Sequence, residues 1–367
     1  MAFQATSIDI QPVKDFAGLA PIWLDLEGRS AGSFFQSWAW TGCLAESRFS
    51  DPWLLSARRA GKVVALGLFN RRPGGLLRKR PAFYLGESGT PALDTIFIEH
   101  NGLLLDRSEG EELSQACWAA LAVESENGVG ISRWRISGVP AEVASALPAD
   151  RSVRILARRP APYIDLSAYA DPSVPILDRL SANTRQQLRR SLRAWEKIGP
   201  IKLEKAGTPQ EADSFLDSLK ALHQAYWVGR GKAGAFAEPF FERFHRALIR
   251  RPATWQSVDL IRVSAGSRIA GYLYNLVHHG WVAAYQSGFE FGPDADRLRP
   301  GLICHLAAIE HYRQAGMRLY DFLGGEARYK RGFADDEREL QWLEVRPKSF
   351  LRSAVALFPN HRKAGRG

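Results

Sequence analysis

Cysteine is scarce. The 367 residues hold three, Cys43, Cys117 and Cys304. An odd number cannot all pair, and none stands at metal-ligand spacing. That argues against a disulfide scaffold and a zinc site, and it fits a reducing cytoplasm. No metal is expected. No stretch approaches the roughly 18 uninterrupted apolar residues that a spanning helix needs. The opening MAFQATSIDIQPVKDF has no basic segment followed by an apolar run, so no signal peptide is expected.

What is present describes a folded, basic protein. Apolar residues make up 46% and charged residues 24%, the balance of a globular chain. Eleven Trp and 19 Phe supply a sizeable core. The length exceeds the roughly 100–150 residues usual for one domain, so two are expected. Lys+Arg 49 against Asp+Glu 39 gives +10, and 38 of the 49 are Arg. Arginine suits bidentate contact with phosphate. Nucleic acid, an anionic membrane face and a phosphorylated cofactor are all admitted, while genome base content and solvated faces would explain the excess equally well.

Strand and helix patterns alternate, which predicts a mixed α/β protein. Helices are expected over 14–28, 36–48 and 109–127. A hairpin is expected from Trp53–Arg58 and Val63–Asn70, and strands at 101–105 and 132–138. The Pro-Ala-Pro at 160–162 is expected to break 151–166 into two extended pieces at a domain junction. Further helices are read at 181–199, 209–228, 238–250 and 301–315. Further strands are read at 201–206, 257–263, 268–277, 280–288, 318–323 and 339–345. Leu188, Leu192 and Trp195 recur at helical spacing, so that helix packs one face and turns its arginines outward. The series 53–70, 101–105, 109–127, 132–138 matches 257–277, 280–288, 301–315, 318–325 in order, which favours two related halves.

The segment YQSGFEFGPDADRLRPGLICHLAAIEHYRQAGMRLYDFLGGEARYKRG, 285–332, is the most informative. Pro300-Gly301 opens a helix, whose first turn offers free N–H groups and a positive dipole end to an anion. Arg297 and Arg299 stand just before it.

This order of tyrosine strand, small-residue turn, Pro-Gly helix, Tyr-Asp-Phe strand, Gly-Gly-Glu and Tyr-Lys resembles the CelD/FemAB-like group of the GNAT superfamily. SANTRQQLRRSLRAWEKIG, HQAYWVGRGKAGAFAEPFFERFHRAL and RIAGYLYNLVHHGWVAAYQSGF agree with it. The resemblance covers roughly 165–345. It implies two tandem GNAT-like domains (1–165 and 166–346), acyl-CoA as co-substrate and an amine acceptor. The usual GNAT phosphate loop has Gln or Arg, two residues, Gly, one residue, then Gly or Ala. This chain departs from it, with Leu298–Gly301 at that place and Arg297 one position off.

Acyl transfer to nitrogen needs a neutral amine, donors on the carbonyl, a proton acceptor and a proton for the leaving thiolate. Asp321 and Glu326 flank the Gly-Gly turn and are candidate bases; each could equally cap a turn or helix. Tyr285 and Tyr329 could protonate the thiolate, or pack in the core. His305 could face the cleft from one turn inside its helix, or be a packed histidine. Gly288, with Gln286–Gly288, could present backbone N–H groups. Lys330, with Arg297, Arg299 and Gly301, could hold phosphate, against a solvated surface role. Trp227, Arg230 and Lys232 could line the acceptor pocket. His278-His279 reads as a hairpin tip.

The leading expectation is an N-acyltransferase moving an acyl group from acyl-CoA to an amine. The resemblance implies an amino sugar of envelope or exopolysaccharide, or a long-chain base of lipid synthesis. A FemABX-like aminoacyl-tRNA-dependent peptidyl transferase and a non-catalytic nucleic-acid or membrane binder are the alternatives. No nucleic-acid motif is present, so a nucleic-acid partner is not expected. The tail, 347–367, places Phe350, Leu351, Ala354, Val355 and Phe358 on one helical face bracketed by basic residues. It either docks on the protein itself or lies in an anionic membrane interface beside a lipid-linked acceptor. The expected location is the cytoplasm, with the inner membrane face as the peripheral alternative.

Overall fold

The computed structural model describes residues 5–74, 81–128, 130–171, 173–252 and 254–348. The tail reading falls on 349–367 for its apolar face and so lies outside the described residues.

The first half runs β1 (Thr6–Pro12), α1 (Phe16–Gly28), β2 (Pro52–Arg59), β3 (Lys62–Arg72), β4 (Ala82–Leu85), β5 (Leu104–Leu105), α2 (Glu111–Asn127), β6 (Arg133–Pro140) and β7 (Arg151–Asp165). The second runs α3 (Ala182–Glu196), β8 (Ile201–Lys205), α4 (Pro209–Val228), α5 (Pro239–Arg250), β9 (Val258–Ala265), β10 (Arg268–His278), β11 (Trp281–Phe289), α6 (Pro300–Gln314), β12 (Leu319–Asp321), α7 (Arg328–Phe333) and β13 (Asp336–Pro347). Short helical turns fill the gaps.

Local chemistry accounts for the main helices. The Thr208 hydroxyl accepts the Glu211 N–H at 3.1 Å, and Pro209 follows in the first turn, where its missing N–H costs nothing. In α3, Leu188 and Trp195 are buried as their spacing demands. The helix expected over 36–48 is broken. Leu44 adopts the left-handed conformation at φ 50°, separating Trp38–Thr41 from Ala45–Arg48. The buried Arg48 then donates to the carbonyls of Trp40 at 3.0 Å and Gly86 at 3.1 Å.

The strands form one 13-stranded mixed sheet in the order β1-β2-β3-β4-β6-β13-β7-β12-β11-β10-β9-β8, with β5 paired to β3 off this path. The two expected domains share this one continuous sheet. The order reads the same from either end once each strand is matched to its counterpart in the other half. β4 and β6 pair in parallel in the first half, β11 and β12 in the second. The counterpart of β11 is therefore β4, not the expected 101–105. The last strand of each half crosses over: β7 pairs with β12, and β13 with β6. Each half's last edge is thereby covered instead of left open.

β7 is one strand from Arg151 to Asp165, not two pieces broken at proline. Pro160 and Pro162 lie opposite Glu339 and Glu337, and their carbonyls accept the N–H groups of Gly325 and Phe322, both at 2.9 Å. Both prolines therefore turn their polar side away from β13, and no ladder bond is lost.

The halves also share a core. Phe34, Phe35 and Trp40 pack with Phe241, Phe244, Tyr274 and Tyr285 in one buried aromatic cluster. Trp40 meets Phe244 edge-on at 4.8 Å between ring centroids. No helix among the described residues is long and apolar enough to cross a membrane.

Candidate active site

The site forms where two paired strands separate. β11 pairs with β12 only from Trp281 to Ala283, opposite Leu319 to Asp321. Beyond Ala283 the strands diverge, while β11 stays paired to β10 with a bulge that leaves Tyr285 as the extra residue. Bulges bend a strand and re-aim its side chains. The opening is a cleft of about 1450 Å³. One wall is the free edge of β11, from Ala284 to Phe289. The opposite wall is 322–332, and the start of α6 closes one end.

Close contact fixes the β11 wall. A Cβ on Gly288 would overlap the Leu219 carbonyl oxygen, so α4 lies directly on the strand backbone there. His223 of α4 pins the same stretch. Its Nε2 accepts the Ala235 N–H at 3.2 Å, which leaves Nδ1 protonated to donate to the Ser287 carbonyl at 3.1 Å. Burial lowers the His223 pKa, in keeping with this neutral form.

The opposite wall is organised by Lys330. Its Nζ donates to the carbonyls of Phe322, Leu323 and Gly324 at 2.8, 3.1 and 3.0 Å. An ammonium has three protons, so Lys330 holds this loop in shape and is not the free phosphate ligand expected. Burial lowers its pKa. Tyr329 stacks on His305 at 5.1 Å, and burial pushes its phenol up to about 12. It keeps its proton at neutral pH. His305 Nδ1 lies 3.0 Å from the Tyr320 hydroxyl, its buried Nε2 has no partner among the described residues, and burial lowers its pKa to about 3.

The sequence candidates divide clearly. Glu326, Tyr285, Tyr329, His305, Lys330, Gly288, Gly301, Arg299, Trp227, Arg230 and Lys232 all border the one cleft. The Tyr285 hydroxyl donates to the Ile96 carbonyl, so its proton is committed to a structural bond. Two candidates lie elsewhere. Asp321 is fully buried beneath the cleft, with Oδ2 3.1 Å from His100 Nε2 and Oδ1 accepting the Leu323 N–H at 2.7 Å. Packing between the halves excludes it from the opening. Arg297 points away to Asp294 at 3.4 Å in solvent.

Arg299 is the cleft's anchor at α6. It sits at φ 46° immediately before Pro300, and its Nη1 donates to Gln187 Oε1 at 2.5 Å. Ser191 and Trp195 of α3 both donate to the Leu298 carbonyl, Trp195 at 2.8 Å, which holds this corner. Arg159, Arg230, Lys232 and Arg328 also border the cleft, and none has a carboxylate within ion-pair distance among the described residues. Arg230 lies 3.7 Å over Tyr226 and Lys232 5.2 Å over Trp227, which aligns these cations with aromatic faces.

Sequence reasoning missed Glu99. It comes from the first half yet borders this cleft, and its Oε2 accepts the Gly324 N–H at 2.5 Å. Burial raises its pKa, opposed by Gly324, His100 and Lys330. The only signal in the sequence is an acid directly after the apolar run Ile96-Phe97-Ile98. Among the described residues no group of His, Cys, Asp and Glu is placed to hold a metal ion.

Two α/β halves, each with strands that part after a parallel pair, joined through one sheet, define an acyltransferase-type fold. Residues 182–331 match the family model described as an acetyltransferase (GNAT) domain. That match makes the second half of the chain a GNAT-type acyltransferase domain. No curated protein sequence matches the chain. Solved structures similar to it include FemX, at 9% identity and TM-score 0.61, covering 94% of this chain and 99% of that one. The C-terminal domain of a lysylphosphatidylglycerol synthetase from Agrobacterium fabrum is similar at 15% identity and TM-score 0.53, covering 96% and 99%. L-PGS from Bacillus licheniformis is similar at 13% and 0.52, covering 95% and 97%. At these identities the likeness is one of fold.

Proposed function

We propose that this acyltransferase moves an acyl group from a CoA-type thioester onto an amine. The observation that carries the reading is the unpaired β11 edge, Ala284 to Phe289, facing a cleft that ends at α6. Backbone N–H groups on such an edge can hold a thioester carbonyl, and the α6 N-terminus with Arg299 suits a pyrophosphate. We read Tyr329, which keeps its proton, as a hydrogen-bond donor to the leaving sulfur. Trp227, Arg230 and Lys232 line the side where the acceptor would enter.

The acceptor class is an amino sugar of envelope or exopolysaccharide, or a long-chain base. Phe97, Val228 and Phe291 stay exposed in and beside the cleft, at 46%, 62% and 48%, which suits an acceptor carried on lipid at a membrane face. A second reading, transfer of an aminoacyl group from tRNA, draws support from the cations without carboxylate partners, which suit a longer polyanion. Titration of the purified chain with acyl-CoA and with aminoacyl-tRNA separates the two. Saturable acyl-CoA binding, with an acylated amine missing from a deletion strain by mass spectrometry, supports the first. Binding of the tRNA alone supports the second.

A further inference from the structure

The two halves share one strand plan, but their equivalent openings differ. β4 and β6 part after Tyr84 and Arg135, as β11 and β12 part after Ala283 and Asp321. The first opening is filled from within. The buried Asn101 donates from Nδ2 to the Leu85 carbonyl at 3.0 Å and to the Ser137 carbonyl at 3.2 Å, one on each diverging strand. Its backbone N–H donates to the Gly138 carbonyl at 3.1 Å. Gly138, at φ +63°, has no room for a Cβ, which would strike the Ile98 carbonyl oxygen.

The same segment is tied to the second half. Tyr285 donates to the Ile96 carbonyl, Asp321 faces His100, and Gly324 donates to Glu99. Neighbouring residues of one loop thus close one opening and enter the other.

We propose that segment 96–101 occupies the first half's donor opening and delivers Glu99 as the general base of the second half's cleft, so that each chain takes one acyl donor. The inference rests on the acyl-transfer reading above. The amine nitrogen attacks the thioester carbonyl carbon and forms the N–C bond. One amine proton passes to the Glu99 carboxylate. The C–S bond breaks, the sulfur leaves with its electron pair, and the proton on Glu99 passes to it. Amide and free thiol result, and the carboxylate is restored. The charged and titratable groups facing Glu99 are Lys330 of α7, Asp321 of β12, Tyr285 of β11 and His100 of its own segment. Burial, with Asp321 adding to it, raises its pKa, the direction that favours a base.

Glu99→Gln tests this, because the amide oxygen still accepts the Gly324 N–H and the loop can keep its place. Full-length wild type and variant are compared with the acyl-CoA and amine that wild type turns over. We expect kcat to fall about 100-fold or more, with the acid limb of the pH–rate profile lost. The donor KM should stay within about twofold, since only transition-state proton transfer is removed. Glu99→Asp should recover part of the rate. Calorimetry should give one donor per chain in each protein. A variant with wild-type kcat and an unchanged acid limb would overturn the proposal, as would two donors per chain. Wild-type turnover tests the reaction itself, and the variant-to-wild-type ratio tests the base, so the two failures are distinguishable.

Discussion

The carboxylate of Glu99, from the first half of the chain, accepts the backbone N–H of Gly324 in the second at 2.5 Å. Gly324 in turn gives its carbonyl to Lys330 at 3.0 Å. One residue of the far wall is therefore held from both sides, and the width of the cleft depends on the packing of the halves together.

Asn101 should be a stability residue. Asn101→Ala leaves the Leu85 and Ser137 carbonyls without this donor in a buried place. The expected cost is about 1–3 kcal/mol, read as a lower denaturant midpoint. A wild-type midpoint would mean that water replaces the amide and that the first opening is not closed by this side chain.

At Gly288 the close approach of α4 leaves no space for a methyl group. Gly288→Ala should lower stability by about 1–3 kcal/mol through forced backbone shifts and should weaken donor binding along the same edge. An alanine variant with unchanged stability and unchanged donor binding would contradict the contact.

Arg299 should bear on the donor and not on the chemical step. Arg299→Gln is expected to weaken acyl-CoA binding about tenfold, in keeping with a charge-assisted hydrogen bond of about 1.5–3 kcal/mol partly screened by solvent. The kcat at saturating donor should hold. A loss confined to kcat would move Arg299 out of the phosphate role.

Two buried histidines give a pH signature. Burial holds His245 and His305 at about 3, below the ordinary 6.5. Between those values the unfolded chain binds more protons than the folded one, so stability is full above 6.5 and is lost as pH falls toward 3. The denaturant midpoint should fall with acid below about 6.5, and a His245→Phe variant that still folds should show a shallower fall. A midpoint flat from neutral to pH 4 would contradict the buried neutral state.

Much of this architecture was legible in the residues. The helix read at 209–228 is α4, and the Leu188 to Trp195 spacing marked the buried face of α3. Pro300 marked the start of α6, and the tyrosine strand before it held the bulge. The crossed last strands were not legible, because β7 and β13 find their partners more than a hundred residues away. Glu99 was hidden for the same reason: a loop acid gains its meaning only from the opposite half. Asp321 misled because its place beside a Gly-Gly turn suggested a cleft edge, whereas His100 covers it. Lys330 misled because nothing local shows that three carbonyls surround its ammonium.

The central claim is that one acyl donor lies along the parted edge of β11. Calorimetric titration with acyl-CoA, combined with amide hydrogen exchange of the same samples, tests it most directly. The account predicts one donor per chain, with slowed exchange concentrated in 284–289 and at the start of α6. Protection confined to 82–88 in the first half, or saturable binding that leaves 284–289 unchanged, would contradict it.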